Sequence, residues 1–291
     1  MTGPSTIASG IASLPVQKIS TDSRIATFDP VVVEEPLEIV LEYGPAGQRI
    51  EQTVSVTMRT PGQDLELALG FLFTEGILPG ITALQAGETS GAAEDTAEGA
   101  IDGQKAIRIA LHPSATPDLK KLQRHFYTSS SCGVCGKTSI ESLYTSRPAP
   151  YRQAPLAINA NILYHLPALL REGQNLFDST GGLHAAGLFD RQGHLLAVKE
   201  DIGRHNALDK LIGFALLQND LPLSQHILLL SGRACFELIQ KAAMAGISIV
   251  TAVGPPSSLA VQLAEESDIT LVGFLREQRF NIYSGAERIL L

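Results

Sequence analysis

Apolar residues alternate with polar ones through Leu37, Ile39, Leu41 and Tyr43, break at Gly44-Pro45-Ala46-Gly47, and alternate again through Val54, Val56 and Met58. A period of two on either side of a glycine- and proline-bearing break predicts a β-hairpin with a long loop. Pro61-Gly62-Gln63-Asp64 then opens a segment whose Leu65, Leu69 and Leu72 share one helical face, with Gly76 as its end. Alternation returns at Ile107, Ile109 and Leu111 as a strand, and a short helix is expected over 118–125. Between Leu84 and Lys105 the chain is rich in Gly, Ala, Ser and Thr and reads as a surface loop, with Glu88, Glu94, Asp95, Glu98 and Asp102 as its only charges.

The second half has a different rhythm. Segments 184–189 and 195–199 flank Asp190-Arg191-Gln192-Gly193 as a hairpin, and 206–217 follows as a helix with Leu208, Leu211 and Ile212 turned inward. Strand, helix, strand, helix and strand then succeed one another over 226–230, 235–245, 248–253, 257–267 and 269–274. Such alternation implies parallel strands joined by crossover helices. The expected class is α/β, divided into a flexible tail (1–29), a small α+β domain (30–125) and a larger α/β domain (126–291).

Composition narrows the function. A chain of 291 residues, 44% hydrophobic and 18% charged, has the make-up of a globular protein with a sizeable core. Its net charge of -8 opposes general adhesion to nucleic acid or anionic membranes, both polyanions. Met1 to Ser20 carries no Lys or Arg before Lys18 and no continuous apolar core, so no signal or transit peptide is expected. The apolar run Ile227-Leu228-Leu229-Leu230 is far short of the roughly 20 residues that span a bilayer. A cytoplasmic location follows as the expectation. Three cysteines, Cys132, Cys135 and Cys235, are too few and too odd a set for a disulfide scaffold, which turns attention to redox or sulfur chemistry.

Thr128-Ser129-Ser130-Ser131-Cys132-Gly133-Val134-Cys135-Gly136-Lys137 is small and polar, with a glycine after each cysteine. That composition suits an exposed turn that a bulky acceptor can approach closely. Lys137 and a following helix start favour the thiolate, so Cys132 can carry a persulfide while Cys135 assists or resolves it. Half a zinc site borrowing ligands from His184, His205 or Cys235, a dithiol oxidoreductase and a plain turn are the competing readings. Cys235, just inside a helix after Ser231-Gly232-Arg233-Ala234, reads as a buried apolar residue.

Three strand ends share one character. The first runs into Ser231-Gly232-Arg233, the second through Gly254-Pro255-Pro256 into Ser257-Ser258, and the third into Leu275-Arg276-Glu277-Gln278-Arg279. Carboxyl ends of parallel strands lie along one edge, where helix N-termini offer free N–H groups to phosphate. Arg233, Arg276 and Arg279 are either forked donors to a pyrophosphate or guanine edge, or ordinary surface residues, with Ser257 or Ser258 a helix cap. Glu200-Asp201-Ile202-Gly203-Arg204-His205-Asn206 reads as a site loop in which His205 carries protons, Asp201 orients it and Arg204 clamps an anion, or in which Asn206 simply caps a helix. In Gly181-Gly182-Leu183-His184, the histidine reads as structural.

The residues Ser130-Ser131-Cys132-Gly133-Val134-Cys135-Gly136-Lys137, 200–210 and Lys241-Ala242-Ala243-Met244-Ala245-Gly246 resemble the FdhD family of formate dehydrogenase accessory sulfurtransferases. Glu35-Pro36-Leu37, Met58-Arg59-Thr60-Pro61-Gly62 and 69–76 extend the likeness to nearly the whole chain after about residue 30; the tail and the acidic loop fall outside it. The resemblance implies a cytoplasmic homodimer with a cytidine-deaminase-like larger domain beside the small one. It implies that a cysteine desulfurase passes sulfur to Cys132, and that the persulfide sulfur reaches a molybdenum cofactor bearing two molybdopterin guanine dinucleotides, destined for the formate dehydrogenase catalytic subunit. No permanent metal is expected. The family's cofactor segment falls on Phe274, Leu275, Arg276, Glu277, Gln278 and Arg279, where this chain lacks a glycine that some members carry; Arg233 and His205 join that set. The rival expectations are a cofactor chaperone without sulfur transfer and a zinc-stabilised module. Deamination is not expected: Ala186 stands where the catalytic Glu of an H-x-E motif belongs, Ser131 replaces Pro before Cys132, and the cysteines precede the histidine.

Overall fold

The computed structural model describes residues 5–8, 10–84, 105–118 and 156–291. Strands β1 (Ser5–Ala8), β2 (Ile11–Ser20) and β3 (Ser23–Val32) form an antiparallel sheet. Residues 11–29 of the expected tail (1–29) therefore belong to a long hairpin, paired without interruption from Ile11↔Val32 to Ser20↔Ser23. Strands β4 (Glu35–Tyr43) and β5 (Ile50–Arg59) form the expected hairpin, and α1 (Asp64–Thr74) carries the chain over to β6 (Ala106–Ala110), which pairs parallel with β4. The acidic loop and the short helix beyond residue 118 lie outside the described residues.

Beyond β7 (Ile158–Asn159) come α2 (Ala160–Glu172) and α3 (Asn175–Thr180), the hairpin β8 (His184–Phe189) and β9 (Leu195–Asp201), and α4 (Arg204–Leu217). The alternating run follows as β10 (Ile227–Leu230), α5 (Phe236–Met244), β11 (Ile249–Ala252), α6 (Ser258–Glu266) and β12 (Thr270–Arg276). β13 (Arg279–Ser284) and β14 (Ile289–Leu290) close the chain, β14 pairing parallel with β7. The six-stranded sheet has the order β13-β12-β11-β10-β8-β9. Its three central strands β10, β11 and β12 are parallel, as their crossover helices require, and both edges are antiparallel hairpins. β10 and β11 are buried at every position, which is why they read as continuous apolar runs instead of alternating ones.

Two apolar clusters are found among the described residues. One lies between the sheet and α2 and includes Leu163, Leu166, Phe189, Val272 and Leu275. The other is continuous from Ile39, Leu41 and Ile109 of the N-terminal sheet through Leu69 and Leu72 of α1 and Leu208, Leu211 and Ile212 of α4 to Val250 and Leu271. A boundary near residue 125 consequently does not separate two cores. Helices α1 and α4 touch backbone to backbone: a Cβ on Gly70 would fall 1.8 Å from the Asp209 carbonyl oxygen, and one on Gly213 1.8 Å from that of Glu66.

The segment 274–279 also differs from the expected strand-end loop. β12 continues to Arg276, the chain turns at Glu277-Gln278, and Arg279 starts the returning strand opposite Arg276. Leu275 is fully buried in the α2-side cluster, so its side chain is core and not a cofactor contact. Phe274, Arg276, Glu277, Gln278 and Arg279 remain exposed. No helix among the described residues is long and apolar enough to cross a membrane.

Candidate functional site

The ends of β10, β11 and β12 are laced together by their backbones. Gly254 N–H donates to the Gly232 carbonyl at 2.9 Å, Ala234 to Pro255 at 3.2 Å, Ser257 to Ala234 at 3.0 Å, and Phe274 to Gly254 at 3.1 Å. Gly254 is required by this crossing, since a Cβ there would sit 2.9 Å from the Arg233 nitrogen and the Gly232 oxygen. Arg276 stiffens the same edge, donating from Nη1 to the Val253 carbonyl at 2.7 Å and to its neighbour Leu275 at 2.8 Å. Ser257 caps α6 through its hydroxyl, which accepts from Ala260 N–H at 3.2 Å, so that serine is committed. Arg233 is exposed on the first loop.

His184 opens β8 beside Gly232, whose Cβ, if present, would meet its Nδ1 at 3.2 Å. Burial and the neighbouring charges of Arg204, His205 and Arg233 hold the His184 pKa below its usual value, leaving a neutral ring. The Nε of Arg204 is buried without a hydrogen-bond partner among the described residues, an unspent donor of the kind an anion satisfies.

Next to these lies a tighter group. His205 is the second residue of α4, Cys235 precedes the first turn of α5 as its cap residue, and Glu237 is the second residue of that helix. His205 Nε2 stands 2.9 Å from Glu237 Oε2 and 3.3 Å from Cys235 Sγ, and Sγ stands 3.7 Å from Oε2. Burial opposes charge on His205, but its hydrogen bonds to Cys235 and Glu237 raise its pKa to about 8. The Cys235 thiol is penalised by burial, yet the His205 contact holds its pKa below the usual thiol value. Cys235 is thus half-buried and hydrogen-bonded, not the inert core residue that its position suggested.

Asp201 does not orient His205. It is fully buried, 2.8 Å from Lys210 Nζ, and accepts from Thr60 N–H (3.1 Å), Gly203 N–H (2.8 Å) and Asn206 Nδ2 (3.0 Å). Asn206 is likewise no helix cap, for its amide also donates to the Met58 carbonyl at 2.8 Å and so fastens β5 to α4. Glu237, which partners His205, gave no signal as a site residue because an acid in a first helical turn is commonplace. Cys132 and Cys135 lie outside the described residues.

The chain matches the FdhD/NarQ family over residues 32–290. It is 47% identical over 281 residues to the sulfur carrier protein FdhD of Streptomyces coelicolor, covering 93% of each chain. It is 49% identical over 276 residues to that of Mycolicibacterium paratuberculosis, covering 94% of this chain and 97% of the relative. The chain belongs to the FdhD/NarQ family. Its architecture agrees with a crystal structure from Desulfotalea psychrophila, described as that of a candidate formate dehydrogenase accessory protein, at a TM-score of 0.68, 24% identity and 96% and 99% coverage of the two chains.

Several motifs that carry the FdhD/NarQ resemblance meet in space. Lys241 Nζ donates to both Asp209 oxygens at 2.9 and 2.8 Å and to Thr74 Oγ1 at 2.9 Å, joining three such segments at one buried point. Burial works against the Lys241 charge, yet Asp209 and Glu75 hold its pKa above the usual lysine value. The Thr60 carbonyl accepts from Lys210 at 3.0 Å and its hydroxyl from Ile202 N–H at 3.1 Å, so the segment around Thr60 is a buckle on the site loop.

Proposed function

We propose that this chain carries sulfur as a persulfide on Cys132 and delivers it to a molybdenum cofactor bearing two molybdopterin guanine dinucleotides, for use by formate dehydrogenase. One observation carries the reading: nearly half of the residues, over more than nine-tenths of the chain, are shared with proteins named sulfur carrier protein FdhD. The strand-end edge is compatible with the cofactor's anionic groups. It presents exposed Arg233, Arg276 and Arg279, together with an Arg204 Nε that has no hydrogen-bond partner among the described residues and a neutral His184. A cytidine-deaminase-like larger unit, a homodimer and a cytoplasmic setting belong to the same reading.

The chemistry balances through the cysteine pair. The Cys132 thiolate attacks the outer sulfur of a cysteine desulfurase persulfide, and the donor cysteine leaves as a thiolate. When Cys135 attacks the inner sulfur of the Cys132 persulfide, the outer sulfur departs as sulfide and a Cys132–Cys135 disulfide remains. Both electrons gained by that sulfur come from the two cysteines, and an external thiol must reduce the disulfide before the next cycle.

The test is to incubate the full chain with cysteine and a desulfurase and weigh it. A gain of about 32 Da per transferable sulfur, removed by reductant, is expected for the wild type and absent from Cys132→Ala. The same variant should fail to restore formate-dependent dye reduction to cells lacking the accessory factor. Full restoration by Cys132→Ala overturns the persulfide route and leaves a cofactor chaperone.

A further inference from the structure

We propose that His205, Cys235 and Glu237 form a site for a borderline-soft divalent cation, best suited to zinc, with three protein ligands and a fourth, exchangeable position. The inference does not depend on the sulfur-carrier reading and departs from the expectation of no permanent metal.

The geometry decides between this and a catalytic triad. In a triad the acid holds one imidazole nitrogen while the nucleophile faces the other. Here Glu237 and Cys235 converge on the same nitrogen, Nε2. Three donor atoms aimed at one point are what a cation requires. Tetrahedral zinc, with bonds of about 2.0 Å to nitrogen and oxygen and about 2.3 Å to sulfur, separates its ligand atoms by roughly 3.3–3.5 Å. The observed separations of 2.9, 3.3 and 3.7 Å need shifts of only a few tenths of an ångström.

A second observation points the same way. Glu237 is 9% exposed, yet its Oε1 is buried with no hydrogen-bond partner among the described residues. A lone carboxylate oxygen in that setting is costly, and a bound cation that draws on both oxygens, or orders a water against them, removes the cost. Charge agrees: a thiolate, a carboxylate and a neutral imidazole around a divalent ion sum to zero, which suits a nearly buried site. The ligand set itself, one sulfur, one nitrogen and one oxygen, favours zinc over magnesium or calcium, which demand oxygen. Each ligand is anchored at the start of a helix, α4 for His205 and α5 for the other two, so the site is built on rigid elements.

The experiment uses the full chain carrying Cys132→Ser and Cys135→Ser, so that Cys235 is the only thiol. Cobalt(II), a spectroscopic stand-in for zinc, is titrated by absorbance, and zinc content is measured by elemental analysis. The expected result is about one cobalt per chain, with a thiolate-to-cobalt charge-transfer band that zinc displaces. Adding Cys235→Ser removes that band, while Glu237→Gln retains it and weakens binding at least about tenfold. Circular dichroism of each variant guards against misfolding, and His205→Asn gives an independent loss of cobalt should Cys235→Ser not fold. The proposal is overturned if the double-serine chain takes up neither metal, or if cobalt binds with no change on altering His205, Cys235 or Glu237.

Discussion

Arg279 and Arg276 face each other at the turn that closes the β12–β13 hairpin, and Arg276 is already donating to two carbonyls. Arg279 is the freer fork of the pair. If this edge receives a guanine nucleotide, Arg279→Ala removes charge-assisted hydrogen bonds worth about 1.5–3 kcal/mol, a loss of roughly ten- to hundredfold in affinity. Calorimetric titration with GDP measures it, and sulfur loading on Cys132 should persist in the same preparation. Equal GDP affinity in both proteins would remove Arg279 from the site. At this scale some of the site was readable from sequence and some was not. The placement of Arg233 after β10 and of Arg276 at the end of β12 was legible from the alternation of strands and helices. Asp201 misled because proximity in sequence suggested His205, whereas one helical turn further on Lys210 offers a full charge to a buried carboxylate. The partnership of His205 with Cys235 and Glu237 spans about 30 residues, and nothing local announces it.

Between elements, the closest approach is that of α1 and α4 at Gly70 and Gly213. Gly70→Ala places a methyl 1.8 Å from a backbone oxygen that neither rotamer change nor side-chain motion can move. The helices must part, at a cost of about 1–3 kcal/mol or more. Urea unfolding should show that loss, while Gly80→Ala, with nothing within 4 Å of its Cβ and an extended backbone at φ 163°, should be close to neutral. Equal effects would mean that the helix contact is not tight. Elements with buried faces were readable: β8, β9, α4 and the run from β10 to β12 fall within a few residues of the bounds that periodicity gave. The β2–β3 hairpin was not, because it has no single buried face. Leu14, Ile19, Ile25 and Phe28 are all exposed, and Pro15 and Pro30 punctuate its strands. The turn at Glu277-Gln278 was equally silent, having no glycine, proline, asparagine or aspartate to mark it.

Over the whole molecule, the Lys241–Asp209–Thr74 contact pins α5, α4 and α1 together inside one continuous core. Lys241→Met strands the Asp209 carboxylate in that core and should cost about 3–5 kcal/mol. Pairing it with Asp209→Leu should recover much of the loss. Denaturant curves followed by circular dichroism and by tyrosine fluorescence are expected to shift together as one transition; a split into two would show that the N-terminal sheet unfolds by itself. The shared core also bears on how the chain is made. The apolar faces of β4, β6 and α1 are complete once residue 111 has been added, but their cover, α4, ends at Leu217. At roughly 5–20 residues per second, a ribosome needs on the order of ten seconds to close that gap. Throughout it Ile39, Leu41, Leu69 and Leu72 are sticky surface on a nascent chain, which makes this protein a natural client for a chaperone during translation.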